Sequence, residues 1–260
     1  MKLEFKINKY YLVDYAMASK HKPFSGWEKL EEKIWKKYKY EPAYYFLNSK
    51  YASWAIEKLQ TDFSDGNVKN AFLKQATVLE KIYHDIFKTR EFKRLYNETE
   101  KYLNFVKNQW QKNEKEVLKI LQEISRLPIP KHKITVYITH PKSHNGKTLD
   151  KKSIVWGHEE DWKNYATVYL SHELLHIMTW PSHFQKNYDI SHALICLATS
   201  NELRIRLNKK GKYFKEGKFY TEYKTRKIEK KILPYWKKYL SGKLGKDILG
   251  LKSILDKKFR

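Results

Sequence analysis

The chain has 260 residues, of which 41% are hydrophobic and 15% aromatic. That is enough apolar mass for one large domain or two small ones with a real core, and it excludes a disordered tail or a disulfide-stapled miniature. The net charge of +24 comes from 53 Lys and Arg against 29 Asp and Glu, but only seven of the basic residues are Arg, so the excess lacks the forked donors typical of a dedicated base- or phosphate-reading surface.

In chain order, Met1 to Ala16 alternates enough, through Leu3, Phe5, Ile7, Tyr11, Val13 and Tyr15, to predict a strand or extended arm. Between Ala43 and Leu127 Gly and Pro almost vanish, and Val68, Phe72, Leu79, Ile82 and Ile86, then Val106, Trp110, Val117, Leu121 and Ile124, recur at helical spacing. A helical N-terminal region over 1–127 follows. Pro128 and Pro130 end it. Strands are expected at Ile134 to Thr139 and Ser153 to Gly157, joined by an exposed connection over Pro141 to Asp150, with His140 and His144 in a solvated loop. Helices are expected over Trp162 to Thr179 and Ile190 to Asn208, with Asp189 or Ser191 as a cap. Residues 128–208 thus form a small sheet-plus-helix unit. The remainder, 209–260, is a basic helical segment with 18 Lys and Arg against five acids, interleaved with aromatics. The fold class is α+β, mainly α.

One cysteine, Cys196, cannot form an intramolecular disulfide and is expected as a buried helix residue. No export signal is visible in Met1 to Lys20, no transmembrane run occurs, and a cytoplasmic location is expected.

The chemistry concentrates in His172-Glu173-Leu174-Leu175-His176. Residues four apart on a helix share a face, so both imidazoles can bind one metal while Glu173 stands beside it. Chance alone gives about 0.03 such pentapeptides in a chain of this composition. The flanks Leu170, Leu174, Leu175, Ile177 and Met178 are uncharged, which places the motif on a buried helix. Eight of the ten histidines fall between His132 and His192.

This stretch resembles the zincin metallopeptidases, over about Ile134 to Asn208. Thr179 and Ser182 stand where the metzincin branch needs Gly and His, and no Met follows Met178. The gluzincin branch draws its third ligand from a glutamate on the next helix, commonly in an Asn-Glu pair, which Asn201-Glu202 matches. Arg206 stands where a thermolysin-like Asp would support the histidines. His192, His183 and Asp189 are the other possible third ligands, and an ordinary pair with Arg206 is the alternative role of Glu202.

The resemblance implies Zn2+ held by His172, His176 and Glu202, with a metal-bound water activated by Glu173 as general base for peptide hydrolysis. Tyr213, Tyr220, Tyr223, His158 and His192 are possible oxyanion donors. It further implies that the strand Ser153 to Gly157 holds an extended peptide or protein substrate. Two other readings compete: a basic protein binding nucleic acid through 209–260 with a structural or vestigial HExxH, and an inactive relative whose zinc pins two helices.

Overall fold

The fold was obtained as a computed structural model that describes residues 1–47, 66–180, 188–214 and 223–259. It is a mainly helical α+β structure built around one four-stranded mixed sheet. The elements are β1 (Lys2–Lys6), α1 (Lys9–Ala18), α2 (Trp27–Tyr38), α3 (Gly66–Phe87), α4 (Arg90–Ser125), β2 (Lys133–Ile138), β3 (Asn145–Asp150), β4 (Ser153–Gly157), α5 (Tyr165–Met178), α6 (Tyr188–Cys196), a π-helical turn (Leu197–Leu203), α7 (Arg204–Asn208), α8 (Tyr223–Leu240) and α9 (Ile248–Lys258). Among the described residues no helix is long and apolar enough to cross a membrane.

The sheet order is β1-β2-β4-β3. β1 pairs with β2, and β2 with β4, in parallel, whereas β3 runs antiparallel to β4. In β2 the inward positions Ile134, Val136 and Ile138 are fully buried and alternate with more exposed residues, the pattern of a strand with one apolar face. Every residue of β4 is buried, as an interior strand flanked on both sides requires.

Two expectations change here. The arm Met1 to Ala16 is a strand only as far as Lys6. Asn8 then accepts hydrogen bonds from the backbone of Tyr10 and Tyr11 and caps α1. Tyr11, Leu12, Val13, Ala16 and Met17 are buried along that helix. A side-chain cap satisfies N–H groups that otherwise lose their partners, and it tips an ambiguous run into a helix. The connection Pro141 to Asp150 contains the edge strand β3, so Ser153–Gly157 is interior and Asn145–Asp150 is the edge. Asn145-Gly146-Lys147-Thr148-Leu149-Asp150 lacks the β-branched run that marks a strand, because an edge strand facing water is not selected for it.

Helix α4 is about 54 Å long at 1.5 Å per residue. Thr89 caps it by accepting from Phe92 N at 3.1 Å, and it ends where Arg126 turns left-handed (φ 54°). Its first turns, with Phe92 and Leu95, join the apolar cluster of α1, α2 and α3. Val106 to Ile124 instead pack with Leu3, the sheet, α5, α6 and the C-terminal helices. The hydrophobic core therefore does not divide at residue 127, since one continuous helix serves both clusters and β1 completes the sheet. The basic C-terminal helices are part of the same core: Ile232, Trp236, Tyr239, Ile248, Leu251 and Leu255 are all buried. Lys227, Lys230, Lys231, Lys237 and Lys238 lie on their exposed side.

Candidate metal centre

Helix α5 carries the HExxH pentapeptide and packs against α4, β3 and the π turn. The side chains at 172 and 176 converge. His172 Nε2 and His176 Nε2 stand 3.2 Å apart, with ring centroids at 5.0 Å. Two nitrogens bound at 2.0–2.1 Å to one tetrahedral ion lie about 3.3 Å apart, so the separation fits a shared cation.

The neighbouring helix α6 completes the cluster. His192 stacks nearly parallel to His176 at 5.8 Å and edge-on to His172 at 5.1 Å. One turn further on is Cys196, whose Sγ lies 4.0 Å from His192 Nε2. His172, His192 and Cys196 each offer a donor atom within 4.8 Å of the others. His172 and Cys196 are buried, while His176 and His192 are half-buried, so the cluster has one wetter side.

Burial, reinforced by the neighbouring imidazoles, holds the His172 pKa well below the ordinary histidine value. Burial and His192 likewise bring His176 down to about 4. Both rings are neutral at physiological pH, which is the form a metal requires. The tautomer of His172 is set by a third residue. The Thr199 hydroxyl donates to Ile195 O at 2.7 Å, so towards His172 Nδ1, 3.3 Å away, it is the acceptor. His172 therefore carries its proton on Nδ1 and presents the Nε2 lone pair to His176.

Glu173 points to the sheet side. Thr148 of the edge strand lies 2.9 Å from Glu173 Oε2 and 2.9 Å from its backbone oxygen. Burial raises the carboxyl pKa from 4.5 to about 7, with Thr148 opposing the shift. Gly146, on the same strand, leaves room beside this carboxylate. A Cβ there would sit 2.8 Å from the Trp156 ring and 3.8 Å from Glu173 Oε1. Tyr15 of α1 also comes within electrostatic reach of Glu173. Burial, Asp14 and Glu173 together push its hydroxyl up to about 12.

The other sequence-predicted residues lie elsewhere. Glu202 sits on the π turn with both oxygens engaged: Oε1 accepts from Arg206 Nε at 2.7 Å and Oε2 accepts from the Tyr213 hydroxyl. The structure thus places Glu202 in the local pair with Arg206 and brings His192 and Cys196 to the histidine pair instead. The reason is helical phase. Ile190 to Asn208 is not a uniform α-helix, because Leu197–Leu203 adopts i→i+5 bonding that takes up an extra residue per turn. Asn201 fills the widened turn by donating to Cys196 O at 3.0 Å, and its own oxygen accepts from Phe214 N.

Asp189 is partly exposed and paired with Lys224 at 2.7 Å. His183 and Tyr220, and the side chain of Tyr223, lie outside the described residues. His140 is not solvated: it is 3% exposed and bonds Glu98 at 3.1 Å, because Pro141–Ser143 forms a 3-10 turn that folds the ring inward. His158 belongs to an aromatic cluster with Trp156 and Tyr165, and Tyr102 donates to its carbonyl at 2.5 Å. The participation of Cys196 and Thr199 was not foreseen. Their i, i+4 and i+7 spacing from His192 was the available signal.

Comparison with protein-family models, curated proteins and solved structures found no match to this chain.

Proposed function

We propose that the chain is a zinc-dependent metallopeptidase whose ion is held by His172, His176 and His192, with Glu173 as general base. The observation that carries this reading is the 3.2 Å approach of the two Nε2 atoms on a helix that also sets a buried carboxyl against an edge strand. The resemblance to zincins supports it, with His192 taking the place first assigned to Glu202. A divalent cation bound there would supply Lewis acidity towards a carbonyl and acidify water.

The chain's own residues supply the remainder. Among the described residues β3 is an edge strand with no further strand beyond it, and such an edge can add an extended peptide as a further strand. That would lay the scissile bond across Gly146 and Thr148, next to Glu173. A carboxyl with a pKa near 7 both takes a proton from water and returns it to a departing amine, as a base poised at the working pH should. Thr148 keeps Oε2 oriented and leaves Oε1 for the exchange. Purified full-length protein should hold zinc near one per chain by elemental analysis and cleave labelled casein, and Glu173→Gln should keep the metal and lose the cleavage. A metal-free protein, or a fully active Glu173→Gln variant, overturns the assignment.

The exposed lysines of α8 favour a second role, contact with an anionic partner such as nucleic acid. Binding to an oligonucleotide should then weaken steeply with salt and survive chelation of the metal.

A further inference from the structure

His172 meets His176 on one side and groups with His192 and Cys196 on the other, so four donor residues gather here, one more than a hydrolytic zinc site needs. Three protein ligands with an open position define catalytic zinc, whereas four close the ion off. Here His176 and Cys196 flank the same His172–His192 pair from different helices. We propose that Cys196 is a fourth ligand of the ion, so that the centre is closed at rest and opens when the sulfur leaves.

This inference rests on the metal-centre reading above and concerns its regulation. Three features of the structure support it. The Cys196 sulfur is within 4.8 Å of donor atoms on both His172 and His192, and 4.0 Å from His192 Nε2. Sulfur at about 2.3 Å and nitrogen at about 2.0 Å from a tetrahedral ion lie about 3.5 Å apart, so ligation needs only a small closure of the pair. Position is the second feature: Cys196 is 8% exposed in the apolar run Ala193–Ala198, on the same helix as His192 and one turn beyond it. The third is the hinge beside it. Cys196 is the last residue before the π turn, and its carbonyl is bonded by the Asn201 side chain rather than by the backbone alone. Short π segments inside α-helices concentrate at functional sites because their looser ladder allows a local change of register. A small shift at this junction would move the sulfur without disturbing His192, one turn earlier.

The closed and open states differ only in one ligand. With sulfur bound, an ion would have four protein donors and no position left for water or a carbonyl; with sulfur displaced, three histidine donors would hold it and one position would be open.

The test is cobalt(II) substitution of the full-length protein. The unmodified protein should show visible bands of a tetrahedral ion together with a near-ultraviolet thiolate-to-cobalt charge-transfer band. Cys196→Ser and Cys196→Ala should keep the visible bands and lose the charge-transfer band. The zinc forms of both variants should cleave labelled casein with kcat/KM raised at least tenfold. Visible bands without charge transfer in the unmodified protein overturn the ligand assignment while leaving the histidine site standing. Variants that keep the metal with unchanged or reduced activity overturn the gating. Failure to bind cobalt at all removes the metal centre and this inference with it.

Discussion

Thr148 Oγ1 lies 2.9 Å from both the backbone oxygen and Oε2 of Glu173, and it has one hydrogen to give. When Glu173 is neutral its own proton can satisfy Thr148, which then donates to the helix carbonyl. When Glu173 is ionised the hydroxyl must turn to the carboxylate. The edge strand is thereby coupled to the protonation of Glu173.

The charged form of Glu173 is costly. Its folded pKa of about 7 exceeds the unfolded value of 4.5, so the stability it contributes is complete below about 4.5 and is lost as pH rises through 7. Glu173→Gln should therefore stabilise the metal-free protein at pH 8 by on the order of 2–3 kcal/mol and leave it nearly unchanged at pH 4.5. Urea denaturation of the EDTA-treated proteins at the two pH values measures this. Equal effects at both would mean the carboxyl is not desolvated.

Acid should act in the opposite sense through the histidines. Burial depresses His172, His176, His140, His144 and His158, with His176 near 4. For such a group stability is complete above the unfolded value of about 6.5 and declines as pH falls below it, because the unfolded chain takes up protons first. Metal-free Glu173→Gln, which lacks the opposing carboxyl, should lose thermal stability steadily between pH 7 and 4. A flat profile would show that these rings are hydrated.

Thr199 fixes the proton of His172. Thr199→Val preserves shape but removes the acceptor, so zinc affinity should fall about 10–100-fold with the fold intact. Competition against a chromophoric chelator gives the number. Unchanged affinity would dissociate Thr199 from ligand orientation.

Glu202 and His192 make opposite predictions. His192→Ala should remove most of the bound zinc, whereas Glu202→Gln should retain it and loosen the contact with Arg206 and Tyr213 by about 1 kcal/mol. Zinc content of the two variants decides between the ligand sets. Loss of metal in Glu202→Gln with retention in His192→Ala would restore the glutamate as ligand.

The legible part of the site was the part written within one helix. His172 and His176 are one turn apart, so helical geometry brings them together whatever else the chain does. The third donor depended on how α6 docks against α5, which no spacing encodes, and on the phase of α6 itself. Counting from His192 along an ideal helix would have suggested Cys196 and Thr199; counting back from a family pattern suggested Glu202, and the π turn defeats that count. β2 and β4 were readable from Ile134, Val136, Ile154 and Val155, which are buried hydrophobics. β3 was not, because Lys147 and Thr148 on a sheet edge look like any polar connection. α1 was misread for a related reason: Tyr11, Val13 and Tyr15 alternate, but the Asn8 cap decides the outcome.

Leu3 is in register with Ile134, and Phe5 with Val136, so the outermost parallel ladder is made by segments far apart along the polypeptide. Closing so large a loop has an entropic cost before any ladder bond forms, and such topology slows the search for the native arrangement. The hairpin of β3 and β4 and the long α4 have no such delay. The order of assembly should therefore run from these local units outwards, with β1 arriving late.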